Sequence, residues 1–297
     1  MLLIHLIGEN GKDCWPEQML QLSTGAAEYL ILYTGTWTRQ ANSSFILTFR
    51  PTLLDILNSE IIACERCPRL RQHSAEVAQL KRRAYRDQTY WGLPVPSFGD
   101  PAASVLILGL APGAHGSNRT GRMFTGDRSG DILYKVLHKT GFASYPVSVS
   151  RDDGLKLHNL YITAAAHCAP PGNKPTPDEL RNCRPYFERE LELLPNLKVI
   201  VALGKIAFDV YLDTLKSRGV IASRAPFVFG HDVQYRTGAG QPVLIGSYHP
   251  SQQNTSTGKL TEKMLTDVFR RARNAAGLTA RSRDRASGRP GSPPPQR

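Results

Sequence analysis

Residues 104–131 read SVLILGLAPGAHGSNRTGRMFTGDRSGD. The segment opens on a short apolar run, SVLIL, of the kind found in strands covered on both faces. Six glycines then lie between Gly109 and Gly130, with only two acids, Asp127 and Asp131. The next stretch, ILYKVLHKTG, carries its apolar residues at helical spacing. A buried strand, a glycine-rich turn and a helix form the first half of a βαβ unit.

The same texture recurs downstream. LYITAAA (160–166), KVIVALG (198–204) and PVLIGSYH (242–249) are further continuous apolar runs. Amphipathic stretches cover 130–140, 177–194, 204–218 and 258–275. Alternating strands and helices predict an α/β fold: a three-layer α/β/α sandwich around a central four-stranded parallel sheet. Upstream, TLLDILNSEIIACERCPRLRQHSAEVAQLKRRAY starts at Thr52 and is helical in period, with Thr52 and Asp55 marking a helix start.

The ends of the chain read differently. Residues 1–50 show no clear period and read as an N-terminal extension, either poorly ordered or upstream of the native start. Residues 276–297 are rich in Pro, Gly and Arg and read as a disordered basic tail. The folded domain is therefore expected over 51–275. Of the 297 residues, 41% are hydrophobic, enough for one domain of about 200 residues plus extensions.

The net charge of +12 favours an anionic partner, nucleic acid first and an anionic membrane surface second. Residues 271–297 hold seven Arg and one Asp, so +6 of that charge sits at the C-terminal end. No apolar run approaches the ~20 residues of a membrane span. The apolar start, MLLIHLIGEN, lacks a basic leader and is a poor secretory signal. Five cysteines are too few and too uneven for a disulfide scaffold. These features predict a soluble intracellular protein.

Unusual residues gather just after the apolar runs: GLAPGAHG, HCAPPGNKPTP, ALGKIAF and YHPSQQNT. Open parallel sheets bind ligands outside the carboxyl ends of their strands, so one site would collect all four segments. Cys64 and Cys67 form a C-x2-C pair, and Cys168 and Cys183 a C-x14-C pair. Four thiolates so spaced can close one site for zinc or an iron–sulfur cluster, although buried thiols with no ligand are also common. Cys14 reads as an ordinary thiol. The glycine-rich loop can be a structural turn, or can offer amides to an anion or a water. It lacks the GKS or GKT ending of a P-loop and the spacing of a dinucleotide fingerprint. His249, at the end of the last run, is either structural or a hydrogen-bond donor to a departing anion.

Together, GLAPGAHGSNRTGRMFTGDRSGD, the two cysteine pairs, CAPPGNKPTP and HPSQQNT resemble the iron–sulfur uracil-DNA glycosylases, most closely the family 5 or B-type branch. The resemblance covers about residues 52–275. It implies a uracil-DNA glycosylase-like fold with a structural 4Fe-4S cluster on Cys64, Cys67, Cys168 and Cys183. Family 4 relatives carry an acid in GEAPG; here that position is Leu110, so Asp127 is expected to position the water instead. His249 matches the histidine of the last motif. Asn173 and Asn254 match polar positions linked to catalysis or base contact. Where family 4 reads the uracil edge with an Asn (ITN), this chain has Ala164, which suggests tolerance of other deaminated bases such as hypoxanthine.

The resemblance implies a mechanism too. The damaged base leaves the stack and stacks on Phe124, between walls that include Gly109, Ala111, Gly113 and Ala114. Asp127 orients the water and His249 steadies the departing base anion. No lysine is placed for a Schiff base, so an abasic site without strand cleavage is expected. The loop PSQQNTSTGK approaches the duplex, and Arg119, Arg122, Arg128 and Lys259 are candidate phosphate contacts. The partner is DNA carrying uracil or other deaminated bases, and the protein is expected to be a cytoplasmic monomer with no membrane association. The competing reading is a non-enzymatic nucleic-acid-binding module with structural zinc. A phosphate-ester hydrolase ranks below both, because clustered acidic metal ligands are missing from the sequence.

Overall fold

The computed structural model describes residues 19–24, 27–32 and 51–278. The chain divides into two units, Met1–Pro51 and Thr52–Arg297. In the first, β1 (Met19–Thr24) and β2 (Ala27–Leu32) pair antiparallel as a hairpin that the sequence pattern did not predict. Cys14, the rest of 1–50 and the tail from 279 lie outside the described residues.

The second unit begins with the predicted helix start. The Thr52 side chain accepts from the Asp55 N–H, and the Asp55 carboxylate accepts from the Thr52 N–H, closing a capping box on α1 (Leu53–Ile62). The helical period then breaks at the C-x2-C turn, and Pro68 opens α2 (Pro68–Leu80) at the first helical turn, where its missing N–H costs nothing.

The sheet is built on the four predicted strands. β4 (Val105–Gly109), β5 (Leu160–Ala164), β6 (Val199–Leu203) and β8 (Val243–Ser247) run parallel, and nearly all their residues are buried. Two antiparallel strands extend it at the edges: β3 (Phe98–Gly99) on β5 and β7 (Val233–Arg236) on β8. The expected four-stranded sheet is thus the parallel centre of a six-stranded one, in the order β3-β5-β4-β6-β8-β7. β3 is too short to show a period, and β7 alternates half-buried with exposed residues, as an edge strand does.

Helices cover both faces. α4 (Arg128–Lys139) and α8 (Glu262–Ala275) pack on one, where Val105 and Ile107 join Leu133, Leu137, Val268 and Phe269. α5 (Pro177–Leu193) and α6 (Lys205–Ser217) pack on the other, where Leu106 and Leu108 meet Phe187, Phe208 and Tyr211. Strand residues thus alternate between two apolar layers, which is why the runs are continuously hydrophobic. Short helices α3 (Ser117–Thr120) and α7 (Gln252–Ser256) lie in the loops after β4 and β8.

This topology places the site. From β4 the chain crosses to β5 on one side and then to β6 on the other. The strand order therefore reverses at β4, and ligands of open α/β sheets sit at such a reversal. The glycine-rich loop leaves β4 at that point.

Candidate active site

Asp127 is the N-cap of α4. Its Oδ1 accepts from the N–H groups of Ser129 (3.0 Å) and Gly130 (3.2 Å). Its Oδ2 faces the glycine loop: a Cβ built on Gly113 would lie 2.9 Å from that oxygen, and one on Gly116 2.1 Å. Glycine at these positions is what lets the backbone lie against the carboxylate. Burial pushes the Asp127 carboxyl above its ordinary range, against the pull of the Gly130 and Ser129 N–H bonds. One oxygen is thus spent on the helix and the other is turned toward the loop.

Phe124 sits three residues earlier in the left-handed region, at φ +53°, and is buried. Its ring lies on the end of β4, where a Cβ on Gly109 would be 2.9 Å from Cζ. Its carbonyl presses on Gly130, where a Cβ would be 1.8 Å away. A strained backbone held on two sides by glycine fixes the ring's direction. The ring stacks with His249, centroids 5.8 Å apart and planes 30° from parallel. Burial lowers the His249 pKa to about 4, so the imidazole is neutral at physiological pH. The Asn254 Nδ2 donates to the His249 carbonyl at 2.9 Å, and Ser251 caps α7 beneath it. Asn254 is therefore a positioning residue for the His249 loop.

The structure brings Gly109, Gly113, Phe124, Asp127, His249 and Asn254 into one connected set at the strand ends. Ala111 and Ala114 are half-buried in the same loop. Ala164 pairs in register with Gly109 and packs in the same apolar cluster as Phe124. Asn173 differs: it is exposed in a short 3-10 turn at φ +57°, with no side-chain hydrogen bond to the set among the described residues.

Two arginines expected at phosphates are used otherwise. Arg122 is buried, paired with Asp153 at 2.7 Å, and donates to Ser148 Oγ and the Arg151 carbonyl. It pins the loop before β5 to the glycine loop after β4. Arg119 donates to the carbonyls of His115 (2.8 Å) and Gly126 (2.7 Å) and to Gln88, with its guanidinium 4.0 Å from the Tyr85 ring centroid. Its role is to hold the glycine loop closed. Sequence alone reads both as surface charge, because the side chains that engage them, Ser148 and Asp153 for Arg122 and Tyr85 and Gln88 for Arg119, are distant in sequence. Arg128 is exposed, and Lys259 lies over the Tyr248 ring.

The cysteines come from three elements. Cys64 and Cys67 flank the turn between α1 and α2, Cys168 follows β5, and Cys183 projects from α5. Cys67, Cys168 and Cys183 are buried, Cys64 partly so, and none of the four is in a disulfide. Burial pushes the Cys168 and Cys183 thiols up to about 12, and each is raised further by its fellow cysteines, so the four lie within electrostatic reach of one another. Among the described residues, however, no three His, Cys, Asp or Glu side chains close to the spacing of a single bound ion. The Asn182 Nδ2 donates to Cys67 Sγ at 3.5 Å, and Arg69 binds Glu179 through two bonds across the same corner.

With this geometry in view, residues 96–273 match the uracil DNA glycosylase superfamily. The chain is 52% identical over 223 residues to a type-5 uracil-DNA glycosylase of Mycobacterium bovis, covering 75% of this chain and 81% of the relative. It is 50% identical to the type-5 enzyme of Mycobacterium leprae, over 75% of this chain and 95% of the other. The type-5 enzyme of Thermus thermophilus is also 50% identical, over 73% of this chain and 96% of its own. The chain belongs to the uracil DNA glycosylase superfamily, in its type-5 branch.

Proposed function

We infer that the protein is a DNA-repair glycosylase that removes uracil from DNA and leaves an abasic site, with residues 51–275 as the acting domain. The observation that carries this reading at the level of residues is Asp127: one oxygen capped by α4, the other turned to a glycine wall at the sheet's reversal point. The flipped nucleotide enters over that wall. As the bond from C1′ to the base nitrogen breaks, its electron pair leaves with the base and positive charge builds on the sugar. Asp127 Oδ2 orients the water whose oxygen bonds to C1′ and takes up its proton. His249, neutral, donates a hydrogen bond to the base as it becomes an anion. Gly109, Ala111, Gly113 and Ala114 line the pocket, Phe124 offers its ring to the base, and Asn254 holds the His249 loop. Asn173, exposed in the turn after Cys168, would have to approach the substrate from outside this set. Lys205, the first residue of α6, is engaged by Asp209, and Lys259, in the loop after α7, by the Tyr248 ring, in keeping with hydrolysis by water alone.

Uracil duplex treated with the protein and then with alkali should break at the former uracil; intact strands would overturn the assignment. Ala164 offers only a methyl group beside Phe124, so the pocket does not demand one base edge. Hypoxanthine is therefore released as well. Ala164→Asn should raise the preference for uracil over hypoxanthine by about tenfold, since one buried polar pair is worth ~1–2 kcal/mol.

The four cysteines fit a cluster. An all-sulfur donor set of buried or half-buried thiols within electrostatic reach of one another suits zinc or an iron–sulfur cluster. The family resemblance favours the 4Fe-4S cluster. Cys64, Cys67, Cys168 and Cys183 would hold it, and it would tie α1, α2 and α5 to the end of β5. Equal iron and sulfide with visible absorbance would support this; zinc alone would favour the binding-module alternative. Among the described residues no helix is long and apolar enough to cross a membrane. A cytoplasmic monomer acting on DNA is consistent with this reading.

A further inference from the structure

The segment Lys81–Tyr90, KRRAYRDQTY, holds four cations against one acid and follows α2. Arg82, Arg83 and Arg86 are exposed. None of their guanidinium groups pairs with a carboxylate among the described residues. By contrast, Arg181, Arg184, Arg189, Arg218, Arg224, Arg270 and Arg271 all have acidic partners.

This basic segment is also stitched to the pocket loop. Arg119 bridges the two, touching Tyr85 and Gln88 on one side and the carbonyls of His115 and Gly126 on the other. Gly126 precedes Asp127, and Tyr85 lies between Arg83 and Arg86. Tyr90 Oη and His115 Nδ1 are 3.1 Å apart, and the same hydroxyl accepts from the Arg82 N–H at 3.4 Å. Trp91 and Gly92 donate their N–H groups to the carbonyls of Arg119 and Asn118. Lys81 Nζ donates to the Arg86 carbonyl and closes the turn. The three free arginines therefore stand on a braced ridge one side chain away from the pocket loop. The charge of Arg82 reaches the loop: burial first, and then Arg82 and Arg119, lower the His115 pKa.

We propose that Arg82, Arg83 and Arg86 form a phosphate-binding ridge that grips the backbone of the duplex beside the flipped nucleotide. This rests on the glycosylase reading and adds to it the surface that holds the undamaged flank. Duplex DNA carries one charge per ~1.7 Å of axis, so a duplex seated at the pocket presents phosphates along its whole contact line. Unpaired guanidinium groups on a rigid ridge meet them without first breaking an internal ion pair, and fix register without reading sequence.

The test uses the full chain carrying Asp127→Asn, so that substrate is bound and not consumed, with and without Arg82→Gln/Arg83→Gln/Arg86→Gln. Binding of a uracil duplex is measured against salt. Three lost contacts should make the log–log slope shallower by about 2.7 and weaken binding tenfold or more near physiological salt. In the background with Asp127 intact, single-turnover uracil release at saturating duplex should stay within about twofold. An unchanged slope overturns the ridge. So does an unchanged slope with slowed release, which would mean the segment shapes the pocket loop instead. Arg83→Lys, which keeps the charge, should retain the slope and confirms that phosphate contact is read rather than folding. Failure of the wild-type chain to release uracil would refute the glycosylase reading and leave the slope result standing.

Discussion

The glycine-loop site is built at the end of β4 and the cysteine corner around the end of its neighbour β5, and the two are assembled differently. The pocket is mostly one continuous segment, Gly109 to Gly130, closed by a single loop from β8. The corner draws four thiols from α1–α2, the end of β5 and α5. The pocket depends on the absence of side chains at Gly109, Gly113 and Gly116, where any Cβ would strike Phe124 or Asp127. The corner depends on side chains that need a shared partner, because buried thiols pushed to about 12 are protonated unless a cation displaces the protons. A continuous loop can be tuned for chemistry; a site spanning three elements serves to hold them together. Pocket changes should therefore act mainly on rate, and corner changes mainly on colour and stability.

The sharpest break comes from Asp127→Asn, which should cut single-turnover uracil release by about 10²–10⁴-fold while duplex affinity and visible absorbance stay put. Comparable rates would remove Asp127 from the chemistry. His249→Ala should follow with about 10²–10³-fold, the usual cost of one donor to a developing anion. A smaller loss would make His249 a packing partner of Phe124. On the other side, Cys183→Ser should bleach the absorbance and lower the thermal midpoint by several degrees, on the order of 2–4 °C per kcal/mol for a domain of this size. A colourless variant of undiminished stability would deny the corner its fastening role.

Acid gives the smallest effect. The folded pKa of His249, about 4, lies below its unfolded value of 6.5. Between those values the unfolded chain binds more protons, so stability rises with pH there. The contribution is intact above pH 6.5 and is lost as pH falls toward 4, by at most a few kcal/mol (~3). Denaturant titrations at pH 7 and pH 5 should show this slope in the wild type and a shallower one in His249→Ala.

Much of this was written locally. The runs 104–110, 160–166, 198–204 and 242–249 announce buried parallel strands because both faces are covered, which leaves no polar alternation. Thr52 and Asp55 mark a helix start because a capping box needs only residues three apart. The glycine loop, the cysteine pairs and His249 were legible because their residue types are costly elsewhere. β3 and β7 were not, since two residues have no period and an edge strand is half polar.

The sequence by itself determined the layers and gathered the unusual residues at the strand ends, which follows from periodicity and short-range chemistry; the reading of the glycine segment as a wall for the base came from the family resemblance. Only the tertiary structure decided the roles of the charges. Arg122 is buried because Asp153, distant in sequence, meets it, and Arg119 is a brace because Tyr85 and Gly126 flank it. Arg82, Arg83 and Arg86 are left free because no acid reaches them among the described residues. A guanidinium looks the same in every sequence, and its work is set by which partners the fold brings within a few ångströms.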